Sequence, residues 1–160
     1  YPMANKKPQV IFSKGAIKNY IKDGTWTGTS VQNKFNFTEE YSNGKFISGK
    51  SIDSLGIKTI YIEVETKPIP QKGMEHFYNF IAKNYNTPKV EGLEGKVYIT
   101  FVVDVDGKLT DFKILRDIGF GTGDEAIRAV ANYKGWIPGE QRGRKVRCHY
   151  SLPINVKSKR

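Results

Sequence analysis

The chain has 160 residues, 38% of them hydrophobic, and a formal net charge of +10 at pH 7. This apolar fraction argues against a disordered chain, and the length allows one ordinary core or two small ones. No stretch approaches the roughly 18 uninterrupted apolar residues of a membrane helix, and the first residues, YPMANKKPQ, lack the apolar segment of a signal peptide. Because the sequence starts at Tyr1, we expect a processed or truncated form that has lost an anchor or a signal.

Positive charge is concentrated near the C-terminus, where Glu140 to Arg160 holds 7 basic residues and one acid. Such a segment suits acidic partners such as nucleic acid or phospholipid, whereas the simpler interpretation is a solvated basic face. No nucleic-acid recognition motif accompanies the charge, so we predict no nucleic-acid partner. The single cysteine, Cys148, excludes an internal disulfide and a cysteine metal cluster.

Residues 1–66 have the pattern of a small β-rich module. A short amphipathic helix is predicted around KGAIKNYIKDG. Further on, Asn43-Gly44 is flanked by alternating apolar residues, which is typical of a two-residue hairpin loop because both loop residues take positive φ. The implied register pairs Tyr41 with Phe46 and Phe35 with Ile52. The run YSNGKFISG also resembles the hairpin unit of MORN-type repeats, in which glycines permit tight turns and aromatic rings pack between hairpins.

A linker is predicted at Thr66 to Gly73, TKPIPQKG, because two prolines, a glycine and polar residues separate two patterned regions. The second domain therefore covers residues 67–160. Its first helix is predicted in GMEHFYNFIAKNY, where apolar side chains recur at helical spacing. These side chains are Met74, Phe77, Tyr78, Ile81 and Tyr85.

The rest of this domain predicts two strands, a second helix and a last strand. A hairpin is expected in GKVYITFVVDVDGKLTDFKIL, with a two-residue turn at Asp106-Gly107 and one strongly apolar face. Its register opposes Val105 to Lys108, Val103 to Thr110, Phe101 to Phe112 and Ile99 to Ile114. The second helix is expected to begin with a capping box formed by Thr122 and Glu125. The last strand is expected to stop at Pro153, which cannot donate a hydrogen bond, and the whole order predicts an α+β protein.

Three segments of the second domain resemble the C-terminal domain of TonB-type energy transducers, in the version found in Bacteroidetes. They are KGMEHFYNFIAKNYNTP, GLEGKVYITFVVDVDGKLTDFKILRDIG and DEAIRAVANYKGWIPGEQRGRKVRCHYSLPINV. The glycine before the first strand, the Asp-Gly turn, the Trp-x-Pro-Gly turn and the terminal Leu-Pro-Ile-Asn are specific in combination. The resemblance runs from about Gly73 to Val156. It implies two helices packed on one face of a three-stranded antiparallel sheet.

The resemblance also implies a role in the periplasm. In this family a short extended segment of an outer-membrane transporter, the TonB box, lies beside the last strand and transmits force derived from the inner-membrane proton gradient. The implied partner is such a transporter or another envelope protein, and the full-length protein is expected to be anchored in the inner membrane. This chain departs from the family pattern in having Thr87-Pro88 where a Tyr-Pro is usual, and in lacking the anchor and the Pro-rich spacer.

An edge strand can bind an incoming peptide through its unpaired amides and carbonyls, while side-chain alternation supplies selectivity. On this sequence, the resemblance places the partner-binding site at the last strand and its surroundings. The site comprises Lys145, Val146, Arg147, Cys148, His149, Tyr150, Ser151 and Leu152, with Arg142 and Arg144 before the strand and Tyr85 and Pro88 upstream. We expect the side chains of Val146, Cys148, Tyr150 and Leu152 to face the core helices, because alternate residues of a strand share a face.

Two alternatives remain open. The last strand would merely complete the sheet, covered by the chain's own termini or by a second copy in a homodimer joined through edge strands. Otherwise the protein is a structural or adaptor protein of the envelope, not coupled to energy, that binds through the MORN-like module. Neither alternative is an enzyme. His76 and His149 lack a carboxylate or a second ligand at suitable spacing, so no catalytic residue, metal or cofactor is predicted.

Overall fold

The computed structural model describes residues 11–31 and 34–158, which form an α+β protein of two compact units. The β-unit comprises the described residues through Lys67 together with Glu140–Val146. The helical unit comprises Pro68–Gly139 and the described residues from Arg147 onward. The predicted boundary between residues 66 and 67 lies one residue from this division, but the segment Glu140–Val146 was expected in the other domain.

The β-unit is built from a five-stranded antiparallel meander and a small three-stranded sheet. The meander has the order β1-β2-β3-β4-β5, and the small sheet has the order β12-β11-β6. Its strands are β1 (Ile11–Lys18), β2 (Ile21–Ser30), β3 (Phe35–Ser42), β4 (Lys45–Asp53), β5 (Lys58–Tyr61), β6 (Glu65–Thr66), β11 (Gly139–Gln141) and β12 (Arg144–Val146). One face of the meander buries Trp26, Phe35, Phe37 and Tyr61.

The short helix predicted around KGAIKNYIKDG is wrong, since this segment forms β1, a tight turn and the start of β2. Asn19 and Tyr20 have φ values of 52° and 65°, which no α-helix contains. The apolar side chains that suggested a helical stripe face solvent, and Tyr20 is fully exposed. The strand is held instead by its pairing with β2, where the ring of Trp26 lies directly on Gly15.

The Asn43-Gly44 hairpin is confirmed, with φ values of 50° and 81° in its two-residue loop and Tyr41 opposite Phe46. The register then shifts between Glu40 and Tyr41, because Ile47 is an extra residue on β4. Such a β-bulge moves every later pair by one position. Phe35 therefore lies opposite Asp53 rather than opposite Ile52, as predicted.

The helical unit contains two α-helices and a three-stranded antiparallel sheet of order β13-β8-β9. Its main elements are α1 (Met74–Asn84), β8 (Glu94–Val103), β9 (Leu109–Arg116), α2 (Thr122–Ala131) and β13 (Cys148–Lys157). A short pair joins β7 (Ile69–Pro70) to β10 (Trp136–Ile137). The core is apolar and aromatic: Phe77 of α1 packs edge-on against Tyr133 and Trp136, and Trp136 packs against Phe101 of β8.

The hairpin between β8 and β9 departs from the predicted register near its turn. Ile99 lies opposite Ile114 as predicted, but Val103 lies opposite Leu109 instead of Thr110. The Asp104 amide bonds to the Lys108 carbonyl, and Gly107 has a φ of 82°. The loop therefore holds three residues and ends on a left-handed glycine, a common hairpin geometry that the Asp-Gly pair alone does not distinguish from a two-residue loop.

The second helix starts where predicted, but without the capping box. The Thr122 hydroxyl donates to the Gly119 carbonyl at 2.7 Å, and Gly121 takes the N-cap position. The Glu125 carboxylate accepts hydrogen bonds from the Asn86 amide and from Arg128. Thr122 is thus the first helical residue rather than the cap, and both side chains are used to hold neighbouring loops.

Candidate functional site

The last strand, β13, lies at an edge of the three-stranded sheet formed by the described residues. It runs through Lys157, with Pro153 opposite Tyr98, so the prediction that the ladder stops at this proline is wrong. The Ser158 amide donates to the Leu93 carbonyl at 2.8 Å, which continues the same register by one pair. Since hydrogen-bonded and non-hydrogen-bonded pairs alternate along an antiparallel ladder, the even-numbered residues of β13 bond to β8.

The odd-numbered residues of β13 consequently direct their backbone groups to the outer edge. These residues are His149, Ser151, Pro153, Asn155 and Lys157. Proline is tolerated at such a position because its missing N–H would face outward. The outer edge therefore offers five carbonyls and four amides, with a gap in the row of donors at Pro153. We name this row the β13 edge.

Side chains of β13 alternate as predicted. Cys148 and Leu152 are buried in the helical unit, and the ring of Tyr150 packs against Phe101 and Trp136. His149 and Ser151 lie on the opposite face and are half-buried. The edge is thus held in place by an apolar face, which leaves the backbone on the outer side in a fixed, extended conformation.

The predicted strand Lys145 to Leu152 is in fact two strands. Lys145 and Val146 belong to β12 in the β-unit, and β13 begins only at Cys148. Val146 therefore does not lie on the core face of the last strand, which corrects that expectation. A tight turn at Arg142 and Gly143, with φ values of 48° and 76°, joins β11 to β12 and makes this segment a separate hairpin.

Arg142 and Arg144 form contacts within the β-unit. The Arg142 guanidinium bonds to the Glu39 carboxylate at 2.6 Å and lies over the ring of Phe37. Arg144 bonds to Ser51 at 3.1 Å and to Asp53 at 3.4 Å. Both guanidinium groups are engaged inside the chain, so the partner-binding site that we retain no longer includes them.

Arg147 directly precedes β13 and remains accessible. It forms ion pairs with Asp111 at 3.1 Å and with Asp104 at 3.6 Å, and all three side chains are partly exposed. Pairs of this kind contribute little to stability, because water and salt screen them. A carboxylate on a partner would therefore compete readily for Arg147.

A groove of about 410 Å³ lies beside the C-terminal half of β13. It is lined by α1 side chains, including Tyr78 and Ile81, and by Tyr85 and Thr87 after the helix. From the strand it is lined by Pro153, Ile154, Asn155 and Lys157. The structure thus brings Tyr85 to the strand, as the site hypothesis requires, but to residues beyond Leu152. Pro88 is not among the residues that line this groove.

Tyr85 has a fixed orientation in this groove. Its hydroxyl donates to the Thr122 carbonyl at 2.9 Å, and burial, with the nearby Glu125 and Asp117 carboxylates, raises its pKa to about 12. The phenol therefore stays neutral at physiological pH and presents a rigid, half-apolar wall. The predicted site omits the residues from Pro153 to Lys157, because a proline in a strand pattern indicates the end of the hydrogen-bond ladder. Alternation of Leu152, Ile154 and Val156 was the signal that could have found them.

The comparisons with known proteins concern the family that part of the chain resembles. Residues 88–157 match the family model described as Gram-negative bacterial TonB protein C-terminal. Proteins of this family are non-enzymatic, act in the periplasm and interact with outer-membrane transporters. The match covers less than half of the chain and supports the predicted resemblance from Pro88 onward. Neither a curated protein nor a solved structure matches the chain.

Two further observations concern metal ions and membranes. No group of three His, Cys, Asp or Glu side chains among the described residues could hold a metal ion. Among the same residues, no helix has the length and apolar character needed to cross a membrane.

Proposed function

We propose that the helical unit is a periplasmic receptor for an extended segment of an outer-membrane transporter, which adds as a strand to the β13 edge. The chain would be the periplasmic part of an energy transducer, or of a related adaptor, whose full-length form is anchored in the inner membrane. One observation carries the proposal: β13 is an edge strand among the described residues, and it lies in the segment that matches the TonB family.

The backbone of the edge supplies a modest affinity. Each added hydrogen bond contributes about 0.5 to 1.5 kcal/mol net, so four to six bonds give roughly 2 to 9 kcal/mol before the peptide's ordering cost. A micromolar complex needs about 8 kcal/mol. Side-chain contacts must therefore add to the ladder, and the resulting complex is weak and reversible, which suits a transient link between two membranes.

Two features beside the edge supply those contacts. The groove lined by Tyr78, Tyr85 and Pro153 is wide enough to accept an apolar side chain of the incoming segment. Arg147 lies near one end of the strand and Lys157 lies at the other. We therefore expect the segment to carry an apolar residue and at least one acid.

The test is an NMR titration of the whole chain with peptides that carry TonB boxes from transporters of the same organism. The decisive variant is Ser151→Pro, because the Ser151 amide faces the outer edge and its loss leaves the ladder to β8 intact. We expect at least tenfold weaker binding, whereas Ser151→Ala keeps the amide and should bind like the parent. Cys148→Pro is unsuitable, since the Cys148 amide points toward β8.

Peptide-induced chemical-shift changes should concentrate on His149 to Lys157. Binding should weaken as salt is added, because salt screens exposed charges. Unchanged affinity in a folded Ser151→Pro variant would remove β-strand addition from consideration. If that variant fails to fold, Asn155→Pro tests the same edge at a second outward-facing amide.

A further inference from the structure

The β-unit has an edge of its own at β5, the last strand of the meander. The Asp53 amide donates to the Ile57 carbonyl at 3.1 Å, and the register pairs Lys50 with Ile60 and Ile52 with Lys58. By the alternation of an antiparallel ladder, Lys58 and Ile60 then direct their backbone groups away from β4. Among the described residues no strand pairs with this side of β5, which we name the β5 edge.

Aliphatic side chains on β5 and directly after it are exposed to an unusual degree. Ile60 is 82% exposed and Ile62 is 77% exposed. Proteins protect exposed edges with charge, bulges or covering loops, because an edge with apolar side chains pairs readily with other strands. Within β5 such a charge is supplied by Lys58, at the start of the strand. The exposed side chains of Ile60 and Ile62 instead favour binding of a further strand.

A groove of about 430 Å³ runs beside the β5 edge. Its walls include Ile60, Ile62, Glu63, Thr66, Glu140 and Gly143, and no lysine or arginine lines it. Neither Glu63 nor Glu140 has an ion-pair partner among the described residues. In a chain with a formal charge of +10, this groove is therefore locally acidic, whereas the basic residues Arg147 and Lys157 lie at the two ends of β13.

We propose that the β5 edge is a second peptide-binding site, which takes an extended segment of alternating apolar and basic residues. Main-chain hydrogen bonds to Lys58 and Ile60 supply the pairing, and apolar side chains of the segment cover Ile60 and Ile62. Lysine or arginine side chains of the segment reach Glu63 and Glu140. This site is independent of the transporter site at β13 and selects the opposite charge.

A second copy of this chain is a poorer occupant. Pairing of two β5 edges would bring Glu63 and Glu140 of both copies to one interface, and like charges placed together oppose strand pairing. A basic segment from another protein instead neutralises both carboxylates.

The test is a titration of the full chain with the blocked peptides KVKTKVK and EVETEVE, monitored by backbone NMR. We expect the basic peptide to shift Lys58 to Glu63 and the acidic peptide to bind there at least tenfold more weakly. Ile60→Pro should weaken the basic peptide at least tenfold, because it removes an outward amide without touching the ladder to β4. The controls are Ile60→Thr, which keeps the amide, and Ser151→Pro, which alters only the β13 edge.

Several results would overturn the proposal: no shifts at β5, equal binding of the two peptides, or loss of binding in Ser151→Pro but not in Ile60→Pro. Self-association that disappears in Ile60→Pro would assign the edge to a second copy and overturn it as well. If Ile60→Pro fails to fold, the double variant Glu63→Lys with Glu140→Lys leaves the backbone intact. It should reverse the preference between the two peptides.

Discussion

The two units are stabilised in different ways. The helical unit buries a continuous apolar core in which Phe77, Phe101, Trp136 and their neighbours pack ring against ring. The β-unit also buries four aromatic residues, Trp26, Phe35, Phe37 and Tyr61, but it places a fully buried carboxylate, Glu39, among them. One unit therefore gains its stability from apolar burial, whereas the other depends on satisfying a buried charge.

Glu39 is satisfied by three side chains. Arg142 donates to one carboxylate oxygen at 2.6 Å, Tyr61 donates to the same oxygen, and Tyr41 donates to the other at 3.1 Å. Burial and the adjacent carboxylate raise the pKa of Tyr41 to about 12, and they raise the pKa of Tyr61 further. The β-unit thus needs Arg142, which lies 103 residues away from Glu39 in the sequence.

The largest effect is expected from Glu39→Ala, which leaves the buried Arg142 guanidinium without its partner. Removal of one member of a buried pair costs about 3 to 5 kcal/mol. We expect urea unfolding to show this loss and hydrogen exchange to locate it in β3, β4 and β5, with β8 less affected. Glu40→Ala, an exposed neighbour, is the matched control and should change stability by less than about 0.5 kcal/mol.

A double variant separates the effect of the buried charges on stability from the effect of side-chain packing. Glu39→Met combined with Arg142→Met removes both charges together and should be less destabilising than Glu39→Ala alone, because no uncompensated charge stays buried. Equal losses of unfolding free energy in the single and double variants would show that Glu39 acts through its shape rather than through its ion pair.

A smaller effect is expected from Gly49→Ala, which tests how tightly glycine and aromatic residues pack in the β-unit. A Cβ at Gly49 would lie 2.3 Å from the ring of Tyr61, whose hydroxyl is held by Glu39. Overpacking of this kind costs about 1 to 3 kcal/mol. The matched variant in the helical unit is Gly95→Ala, where the nearest atom is a methyl carbon of Ile118 at 2.7 Å.

Because an aliphatic side chain can rotate away more easily than a hydrogen-bonded ring, we expect Gly95→Ala to cost less than Gly49→Ala in thermal unfolding. The reverse order would mean that the Tyr61 ring is not fixed by its bond to Glu39.

The resemblance of the β-unit to MORN-type repeats stays a prediction, although its glycine and aromatic contacts are of the kind that the resemblance implies.

The difference between local and long-range contacts explains which features could be predicted from the sequence. Local signals were sufficient for α1, for α2 and for the Asn43-Gly44 turn, because each depends on residues close in the chain. The alternation around β13 likewise predicted that Cys148, Tyr150 and Leu152 face the core, although it did not reveal that Val146 belongs to another strand. The family resemblance then directed attention to the last strand, whose role in binding stays a prediction.

Features set by distant or irregular contacts could not be predicted. Ile47 forms a bulge that no periodic pattern marks, and the bulge displaces the whole register beyond it. Pro153 predicts a strand end, because the amino-acid sequence does not reveal that the proline nitrogen faces an open edge of the sheet. The pairing of Arg142 with Glu39 joins two segments whose proximity only the tertiary fold creates.

The smallest effect is expected from the acid and arginine pair of the helical unit, Glu125 and Arg128, which is partly exposed. Hydrogen bonds from Arg128 and from the Asn86 amide hold the pKa of Glu125 below its usual range. A carboxyl group with a lowered pKa stabilises the fold above its unfolded pKa of about 4.3, and this contribution is lost as the pH falls through the folded value.

We therefore expect Glu125→Gln to cost less than about 1 kcal/mol at pH 7, where the carboxylate is fully ionised. The difference between parent and variant should shrink below pH 4 and also in about 0.5 M salt, which screens exposed pairs. Glu39→Ala should keep its full effect in that salt, because its pair is buried. Chemical unfolding as a function of pH and salt measures the change in stability of both variants. A Glu125→Gln effect that does not depend on salt concentration would contradict a role through charge.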